Sequence, residues 1–347
     1  MKQVMFAVIP SDDAGPMIRD LIDRGIVDIH AKIGKDGTNR YIPILPEFYD
    51  LVRDMGIDLI PGEAHTLDRR PPQERICAEL ASYPELAGHI PERWEFVGDI
   101  VIVRLDEVGW RNRRMIGEAI ASTLGAKTVC ADREGVIGEF RRPTMEVIYG
   151  DDTESVRLEN GIRYRFDVTK VMFASGNNAE RRRMGSLDCT GETVVDMFAG
   201  IGYFTLPLAK FSGARRVFAC EKNPDSYGFL VRNAKDNGVD GVVIPILGDN
   251  RNMPGISFAD RILMGYVQTT SEFLGAALRM IRPGGIIHYH DTFYVSEYRN
   301  RIEGIFDSSG CEYEILQIRE VKSFAPSVSH YVADVRVIAP SRRNSKP

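Results

Sequence analysis

The chain has 347 residues, a net charge of −5 and a hydrophobic fraction of 44%, which is ordinary for a globular protein of two or three domains. Its apolar runs are too short to span a bilayer, and the N-terminal run ends at Pro10, so we predict a buried strand there rather than a signal peptide. The five cysteines and six histidines are scattered. This spacing predicts reduced thiols, a cytoplasmic location, no membrane association and no metal site.

Residues 1–65 are predicted to form a small N-terminal α/β domain. A short helix is expected over residues 17–24, and the sequence at residues 34–37, Gly-Lys-Asp-Gly, has the turn chemistry of a β-hairpin. Pro61 and Gly62 are interpreted as the end of this domain. Residues 66–77 contain paired arginines and paired prolines and are predicted to be a linker.

Residues 78–150 are predicted to form a second α/β domain. Residues 94–104 have the apolar, β-branched composition of a strand, and apolar residues recur at helical spacing over residues 111–124. Two further short strands are expected at residues 127–130 and 145–149. By analogy of fold alone, such a domain lies on the RNA side of a catalytic domain.

Residues 151–340 are predicted to form a doubly wound, Rossmann-type α/β domain. After a hairpin that turns at Asn160-Gly161, apolar strands and helices alternate along the chain, which is typical of a parallel sheet. Residues 313–321 and 330–338 have no long helix between them and are expected to pair antiparallel at its edge. Residues 341–347 are expected to be a polar tail.

The first strand of this domain leads into a turn that contains glycine. Asp196, Gly200 and Gly202 give the spacing Asp-x-x-x-Gly-x-Gly, which differs from the Gly-x-Gly-x-x-Gly of dinucleotide sites. The glycines let the backbone approach a ligand and adopt positive φ. A carboxylate at the strand end suits the positively charged amino and sulfonium groups of S-adenosylmethionine.

Polar residues also end the next two strands. Glu221 can accept hydrogen bonds from both ribose hydroxyls, and Asp249 or Asn250 can pair with the exocyclic amine of adenine. A polar residue at one strand end is common in doubly wound sheets. Polar residues at the ends of three consecutive strands, at Asp196, Glu221 and Asp249, together predict S-adenosylmethionine as co-substrate.

The fourth strand ends in Met264-Gly265-Tyr266, which offers no side-chain base to a reacting group. Tyr266 is interpreted either as a platform that stacks on a flipped base or as part of the core. His288 and His290 lie on one face of a later strand, where they contact either the target base or their neighbours.

Over residues ~90–338 the chain resembles the archaeal and eukaryotic tRNA-modifying enzymes that act at position 37, beside the anticodon. One branch methylates N1 of guanosine and has Asn-Leu-Pro on the fourth strand. The wybutosine-synthesising branch transfers the 3-amino-3-carboxypropyl group and is similar to this chain at Met264-Gly-Tyr-Val267. The segments that carry the resemblance are Ile90-Pro-Glu-Arg-Trp94, Gly138-Glu-Phe-Arg141, Glu180-Arg-Arg-Arg-Met184, Asp196-Met-Phe-Ala-Gly200 and Gly285-Ile-Ile-His-Tyr-His290.

The resemblance also implies roles for individual residues. Glu192 matches a carboxylate that assists proton removal in the methylating branch, although a plain surface glutamate is equally consistent with its position. Arg181 or Arg182 is a candidate partner for the methionine carboxylate of the cofactor. The predicted catalytic residues are Glu192, Tyr266 and Arg182. Together with Asp196, the predicted cofactor contacts are Arg181, Phe198, Ala199, Gly200, Glu221, Lys222, Asp249, Asn250 and Met264.

The implied reaction transfers the aminocarboxypropyl group to carbon 7 of 4-demethylwyosine at position 37 of phenylalanine tRNA and releases methylthioadenosine. The implied partner is the anticodon loop, and a monomer is expected. One alternative is a tRNA guanosine-37 N1-methyltransferase. The other is a non-catalytic tRNA-binding protein with a vestigial cofactor pocket.

Overall fold

The structure is a computed structural model that describes residues 1–12 and 14–339. Its internal contacts divide the chain into two compact units, Met1–Pro84 and Glu85 onward. The finer division at residue 150 falls within the second unit and stays a prediction, and the expected tail at 341–347 lies outside the described residues. In the described ranges, every helix is too short or too polar to cross a bilayer.

The first unit is a four-stranded sheet with the strand order β2-β3-β1-β4. Leu21, Ile42 and Val52 are fully buried in its core, where the apolar faces of the helices meet the sheet. Its elements are β1 (Lys2–Pro10), α1 (Ala14–Asp23), β2 (Gly34–Lys35), β3 (Asn39–Ile44), α2 (Tyr49–Asp54), β4 (Leu59–Ala64) and α3 (Pro72–Glu79).

Two boundaries in this unit differ from the sequence-based expectation. The unit does not end at Pro61 and Gly62, because β4 runs through both and pairs with β1. Proline is tolerated there because β4 is an edge strand, where a missing N–H leaves no ladder partner unsatisfied. The sequence also predicts a helix over residues 73–82, and α3 spans Pro72–Glu79, so it begins within the segment expected to be a linker. Proline suits the first turn of a helix.

The second unit begins with a four-stranded sheet in the order β5-β6-β7-β8, followed by a separate two-stranded hairpin. The hairpin turns at Asn160-Gly161, as predicted. These elements are β5 (Trp94–Val97), β6 (Ile100–Val103), α4 (Glu107–Arg111), α5 (Arg113–Leu124), β7 (Thr128–Ile137), β8 (Arg142–Tyr149), β9 (Glu154–Glu159) and β10 (Ile162–Asp167).

A seven-stranded sheet completes the second unit in the order β13-β12-β11-β14-β15-β17-β16. Its elements are α6 (Asn178–Ser186), β11 (Thr193–Asp196), α7 (Thr205–Phe211), β12 (Arg216–Glu221), α8 (Pro224–Asp236), β13 (Val243–Leu247), β14 (Ala259–Met264), α9 (Leu274–Met280), β15 (Ile281–Tyr294), α10 (Tyr298–Ser309), β16 (Glu312–Ala325) and β17 (Val328–Ala339).

Strands β11 to β15 are parallel, and β17 pairs antiparallel with both β15 and β16. The predicted doubly wound sheet and its antiparallel edge are therefore confirmed. The chain moves from β11 to β12 on one side and later returns to β14 on the other. Such a reversal opens a crevice at the carboxyl ends of the strands, where ligands bind in open α/β sheets.

The β9–β10 hairpin is fastened to the large sheet by two buried amides, Asn233 on α8 and Asn237 just after it, which bond the backbone of Arg165 and Arg163. The fully buried side chain of Asn233 on α8 accepts a hydrogen bond from the Arg165 backbone N–H at 2.8 Å. It donates to the backbone carbonyls of Arg165 at 3.1 Å and Ile201 at 3.0 Å. Tyr164 and Phe166 of β10 pack into a core that contains residues of both sheets, so the hairpin joins the two sheets.

Asn233→Ala should lower the free energy of unfolding by about 2–4 kcal/mol, because it leaves buried backbone groups without partners. Urea unfolding followed by circular dichroism measures this change. Lys235→Ala on the exposed face of the same helix is the control and should stay within about 0.5 kcal/mol of wild type. Equal stabilities for the two variants would contradict this account of the hairpin.

Candidate active site

The glycine turn after β11 has the backbone conformation expected from its sequence. Gly200 has φ +57° and Gly202 has φ +102°, values that side-chain-bearing residues rarely adopt. A Cβ atom at Gly200 would lie 2.5 Å from the ring of Tyr203, and one at Gly202 would lie 2.6 Å from Leu206. Glycine is therefore required at both positions by conformation and by space.

Asp196 holds this turn from inside the protein. Its carboxylate accepts a hydrogen bond from the Thr205 hydroxyl at 2.7 Å and from the Phe198 backbone N–H at 3.2 Å. The side chain is completely buried, and burial raises the pKa of Asp196 to about 6. The carboxylate thus ties the end of β11 to the first turn of α7 and does not itself line the cavity beside the turn.

Glu221 ends β12 on the cavity side of the turn. One carboxylate oxygen accepts from the Gly200 N–H at 2.7 Å and the other from the Asn223 N–H at 2.7 Å. Burial raises the pKa of Glu221. Each oxygen keeps a free lone pair, so the carboxylate can still accept hydrogen bonds from vicinal ribose hydroxyls.

Asp249 and Asn250 follow β13. Arg251 pairs with Asp249 at 2.5 Å, and this hydrogen-bonded charge lowers the pKa of Asp249 to about 2. The Asn250 side chain donates to the Met197 carbonyl at 2.7 Å, while its Oδ1 is buried without a partner. An unpaired acceptor in a cavity wall fits an amine donor such as that of adenine.

These groups surround a cavity of about 290 Å³ at the carboxyl ends of the parallel strands. The structure brings Tyr266 of the predicted catalytic set onto its wall, together with most of the predicted cofactor contacts: Phe198, Gly200, Glu221, Lys222, Asp249 and Asn250. Other predicted site residues do not line it: Asp196, Ala199, Met264, Arg181, Arg182 and Glu192. Contact of any of them with the cofactor stays a prediction.

An aromatic cluster forms the wall at the end of β14. Tyr266 stacks on Phe198 with ring centroids 5.0 Å apart, and Phe273 meets Phe198 edge-on at 4.9 Å. Between Met264, which is fully buried, and Tyr266, the chain passes close to the ring of Phe204. A Cβ atom at residue 265 would lie 2.7 Å from that ring, so only glycine fits there.

Arg181 is occupied by a buried ion pair. Its guanidinium donates to both oxygens of Glu159, at 2.5 and 3.0 Å, and to the Ala174 carbonyl at 2.8 Å. It also lies over the ring of Phe173, 4.7 Å from the centroid. Arg182 is exposed and approaches Asn160 at 3.4 Å. Neither arginine therefore meets the cavity, where a methionine carboxylate would lie.

Glu192 precedes β11 and so lies at its amino end, whereas the cavity lies at its carboxyl end. The strand between them is about 13 Å long, from four residues at about 3.3 Å each. Glu192 makes a two-point ion pair with Arg261 at 2.6 and 2.8 Å. Arg261 contacts the His288 Nε2 at 2.8 Å, and the His288 Nδ1 lies 2.6 Å from Asp334. The geometry supports a structural role for Glu192.

His290 and His330 form a second buried contact, with ring nitrogens 3.1 Å apart. His290 stacks on Phe204, whereas His330 reaches the cavity wall. Burial lowers the pKa of His330 to about 4, so the ring is neutral at pH 7. Sequence reasoning missed His330, because its only signal was a position near the start of the last predicted strand.

Further charged residues on the cavity wall come from the β7–β8 hairpin and from β16. Glu139 pairs with Lys222 at 2.5 Å, and Arg141 and Lys322 also line the cavity. Glu139 and Arg141 belong to the segment Gly138–Arg141, which carries part of the family resemblance. That resemblance was the sequence signal that could have placed them at the site. Lys322 had no signal in the sequence, since an isolated lysine in an edge strand is ordinary.

The strand order, the glycine turn and the acidic residue ending β12 define the class of the second unit: a class I S-adenosylmethionine-dependent transferase fold. Two family models match in succession. Residues 78–153 match the TYW2 N-terminal domain, and residues 155–316 match the TRM5/TYW2 methyltransferase domain. The chain belongs to the TRM5/TYW2 family.

Among its relatives, the tRNA(Phe) (4-demethylwyosine(37)-C(7)) aminocarboxypropyltransferase of Pyrococcus horikoshii is 42% identical over 76% of this chain and 95% of its own length. A crystal structure of P. horikoshii TYW2 in complex with MeSAdo superposes with a TM-score of 0.69 at 39% identity, over 76% of this chain and 98% of that one. The tRNA (guanine(37)-N(1))-methyltransferase Trm5b of Pyrococcus abyssi is 33% identical over 95% of this chain and 98% of its own.

The elevated pKa of Asp196 predicts a specific pH dependence. Because its folded value of about 6 exceeds the ordinary 3.8, wild type should lose stability as pH rises from about 4 to about 6, by roughly 3 kcal/mol. Asp196→Asn has no carboxyl group to titrate at this position and should not lose stability in this way. The cost of burying its amide is the same at every pH, so the unfolding free energy of the variant relative to wild type should increase over this range. If urea unfolding gives the same difference between the two proteins at pH 4.5 and at pH 7, the assignment is contradicted.

Glu192→Gln should reduce the free energy of unfolding by about 1–3 kcal/mol, because it leaves the buried Arg261 without its counter-ion. Binding of methylthioadenosine, measured by calorimetry, should stay within twofold of wild type. The matched control is Glu312→Gln at an exposed position on β16, which should change neither quantity. Loss of ligand affinity at unchanged stability would instead place Glu192 in the active site.

Proposed function

We propose that this chain transfers the 3-amino-3-carboxypropyl group of S-adenosylmethionine to carbon 7 of 4-demethylwyosine at position 37 of tRNA(Phe). The observation that carries the proposal is the cavity wall after β14, where Gly265 packs against Phe204 and Tyr266 offers an aromatic face without a side-chain base. The 42% identity to the Pyrococcus horikoshii aminocarboxypropyltransferase supports the same reaction.

The reaction needs positioning rather than an enzyme-bound nucleophile. Carbon 7 of the electron-rich base donates an electron pair to the γ-carbon of the methionine arm while the bond between that carbon and sulfur breaks. The bonding electrons return to sulfur, which leaves as neutral methylthioadenosine, and the base then loses its C7 proton to water. The protein must hold the γ-carbon in line with carbon 7 at near-attack distance.

The proposed roles follow from the cavity wall. Glu221 holds the ribose hydroxyls, Asn250 accepts from the adenine amine, and Tyr266 stacks on the target base. The tRNA substrate, read at its anticodon loop, is proposed for this chain on the strength of its relatives' names. Its monomeric state and its cytoplasmic location stay predictions.

A tRNA guanosine-37 N1-methyltransferase is the second candidate, and one observation favours it. Trm5b of Pyrococcus abyssi aligns over 95% of this chain, whereas the P. horikoshii aminocarboxypropyltransferase aligns over 76%. Against it stands the end of β14, which has Met264-Gly265-Tyr266 in place of Asn-Leu-Pro. A non-catalytic tRNA-binding role is disfavoured by the complete cavity wall.

The small-molecule product distinguishes the two reactions. We expect incubation of the full chain with S-adenosylmethionine and tRNA(Phe) that contains 4-demethylwyosine to yield methylthioadenosine, detected by mass spectrometry. Label from carboxyl-labelled S-adenosylmethionine should enter the tRNA. The control substrate is the same tRNA with guanosine at position 37, which should remain unmodified. S-adenosylhomocysteine as the product, together with methylation of the control tRNA, would establish the methyltransferase instead.

A further inference from the structure

A chain of three titratable side chains runs from the cavity wall into the interior of the second unit. His330 on β17 lies at the wall, and its Nε2 is 3.1 Å from the Nδ1 of His290 on β15. The Nε2 of His290 is fully buried, lacks a hydrogen-bond partner in the described part of the chain, and lies 3.6 Å from the carboxylate of Glu180 on α6. All three side chains are more than nine-tenths buried, and the steps described above use none of them.

The carboxylate of Glu180 determines which ring nitrogens carry protons. Glu180 is paired with Arg183 at 2.6 Å and brings a negative charge close to the Nε2 of His290. A lone pair on that nitrogen would face this charge where little water screens it, so the nitrogen carries a proton instead. The Nδ1 of His290 is then an acceptor, and the Nε2 of His330 donates to it. The Nδ1 of His330 therefore carries a lone pair.

His330 presents this lone pair to the cavity. Its Nε2 is engaged inside the protein, so Nδ1 is the ring nitrogen left for a ligand at the wall, and within the described residues it makes no hydrogen bond. Burial, and then the positive charge of Lys322, lower the pKa of His330 to about 4. The ring is therefore neutral at pH 7, which is the form that accepts a proton.

The histidine pair adjoins the part of the wall where the target base is proposed to stack. His290 stacks on Phe204 with ring centroids 5.2 Å apart, and Phe204 packs against Gly265, the residue before Tyr266. Tyr266 and His330 line the same cavity. A base that stacks on Tyr266 thus shares the cavity with the lone pair of His330.

The carboxylates on the described wall already have other tasks. Glu221 accepts from two backbone N–H groups and is proposed to hold the ribose, whereas Asp249 and Glu139 are in ion pairs. His330 is the unoccupied base among the described residues that line the cavity.

We propose that His330 accepts the C7 proton of the target base through the water that first takes it, and that His290 and Glu180 position His330 for this task. The C7–H bond breaks, and its electron pair returns to the ring of the base. The water takes this proton and transfers one of its own to the Nδ1 of His330, which becomes an imidazolium and loses the proton to solvent after the product leaves. The inference rests on the proposed function, because that reaction leaves a proton on carbon 7 to be removed.

A weak base is sufficient for this step. Once carbon 7 has bonded to the γ-carbon, the target base carries a positive charge that disappears when the C7 proton leaves. This proton is therefore strongly acidic. A base of low pKa stays unprotonated at pH 7 before the reaction and releases the proton readily afterwards.

Isotope substitution at carbon 7 tests the role of His330. The full chain is given S-adenosylmethionine and tRNA(Phe) whose 4-demethylwyosine carries hydrogen or deuterium at carbon 7, and the single-turnover rate of transfer is measured for each. Wild type should show no primary isotope effect, because loss of so acidic a proton is faster than formation of the carbon–carbon bond. His330→Gln keeps an N–H that donates to His290 but has no ring nitrogen to accept a proton. Its rate should fall about 10- to 100-fold, and a primary isotope effect should appear.

Glu180→Gln tests the positioning of His330. The new amide can donate to the Nε2 of His290, which reverses both tautomers and places a proton on the Nδ1 of His330. We expect slower transfer with a primary isotope effect, although the His330 ring is intact. The matched control is His89→Gln, which removes an imidazole that pairs with Asp106 at 2.7 Å away from the cavity, and it should change neither quantity. Thermal melting checks that every variant is folded.

Two results would overturn the role of His330. In the first, His330→Gln keeps the wild-type rate without an isotope effect, so the proton leaves by another route. In the second, the rate falls without an isotope effect, which means that the imidazole only supports the cavity wall, and calorimetry would then show a parallel loss of affinity for methylthioadenosine. Failure of the proposed function gives a different result, because wild type itself would then transfer no aminocarboxypropyl group to the tRNA.

Discussion

The hydrogen bond from Thr205 to the buried carboxylate of Asp196 determines where the chain leaves β11 and enters α7. Within the turn that this bond holds, the Gly200 N–H donates to Glu221 at the end of the neighbouring strand β12. The cavity wall, the aromatic cluster at Phe198 and the orientation of Glu221 all follow from that turn. A charged group without solvent access is costly, which is why its partners are so close.

The second unit separates two kinds of charge. Ion pairs such as Arg181 with Glu159 and Arg261 with Glu192 are largely buried and compensated, and their side chains do not line the cavity, so they hold loops and strand ends in place. Charges on the cavity wall remain partly open to a ligand. A rigid scaffold around a small number of available polar groups is the arrangement that precise orientation of a substrate requires.

Much of this fold could be predicted, because the sequence patterns that indicate its elements extend over only a few neighbouring residues. Alternating strands and helices, the glycine turn and Glu221 are each visible within a few residues of sequence. The roles of Arg181 and Glu192 could not be predicted in this way, because each depends on a partner, Glu159 or Arg261, that only the folded chain brings near. Lys322 was invisible for the same reason, since it meets the cavity only through the pairing of β16 at the far edge of the sheet.

The contact between Gly265 and Phe204 also bears on how the two reactions of this family diverged. Any side chain at position 265 would displace the Phe204 ring, and that ring stacks in turn on His290. A substitution at position 265 therefore has to be accommodated at three places at once: the end of β14, the residue that precedes α7 and a buried imidazole on β15.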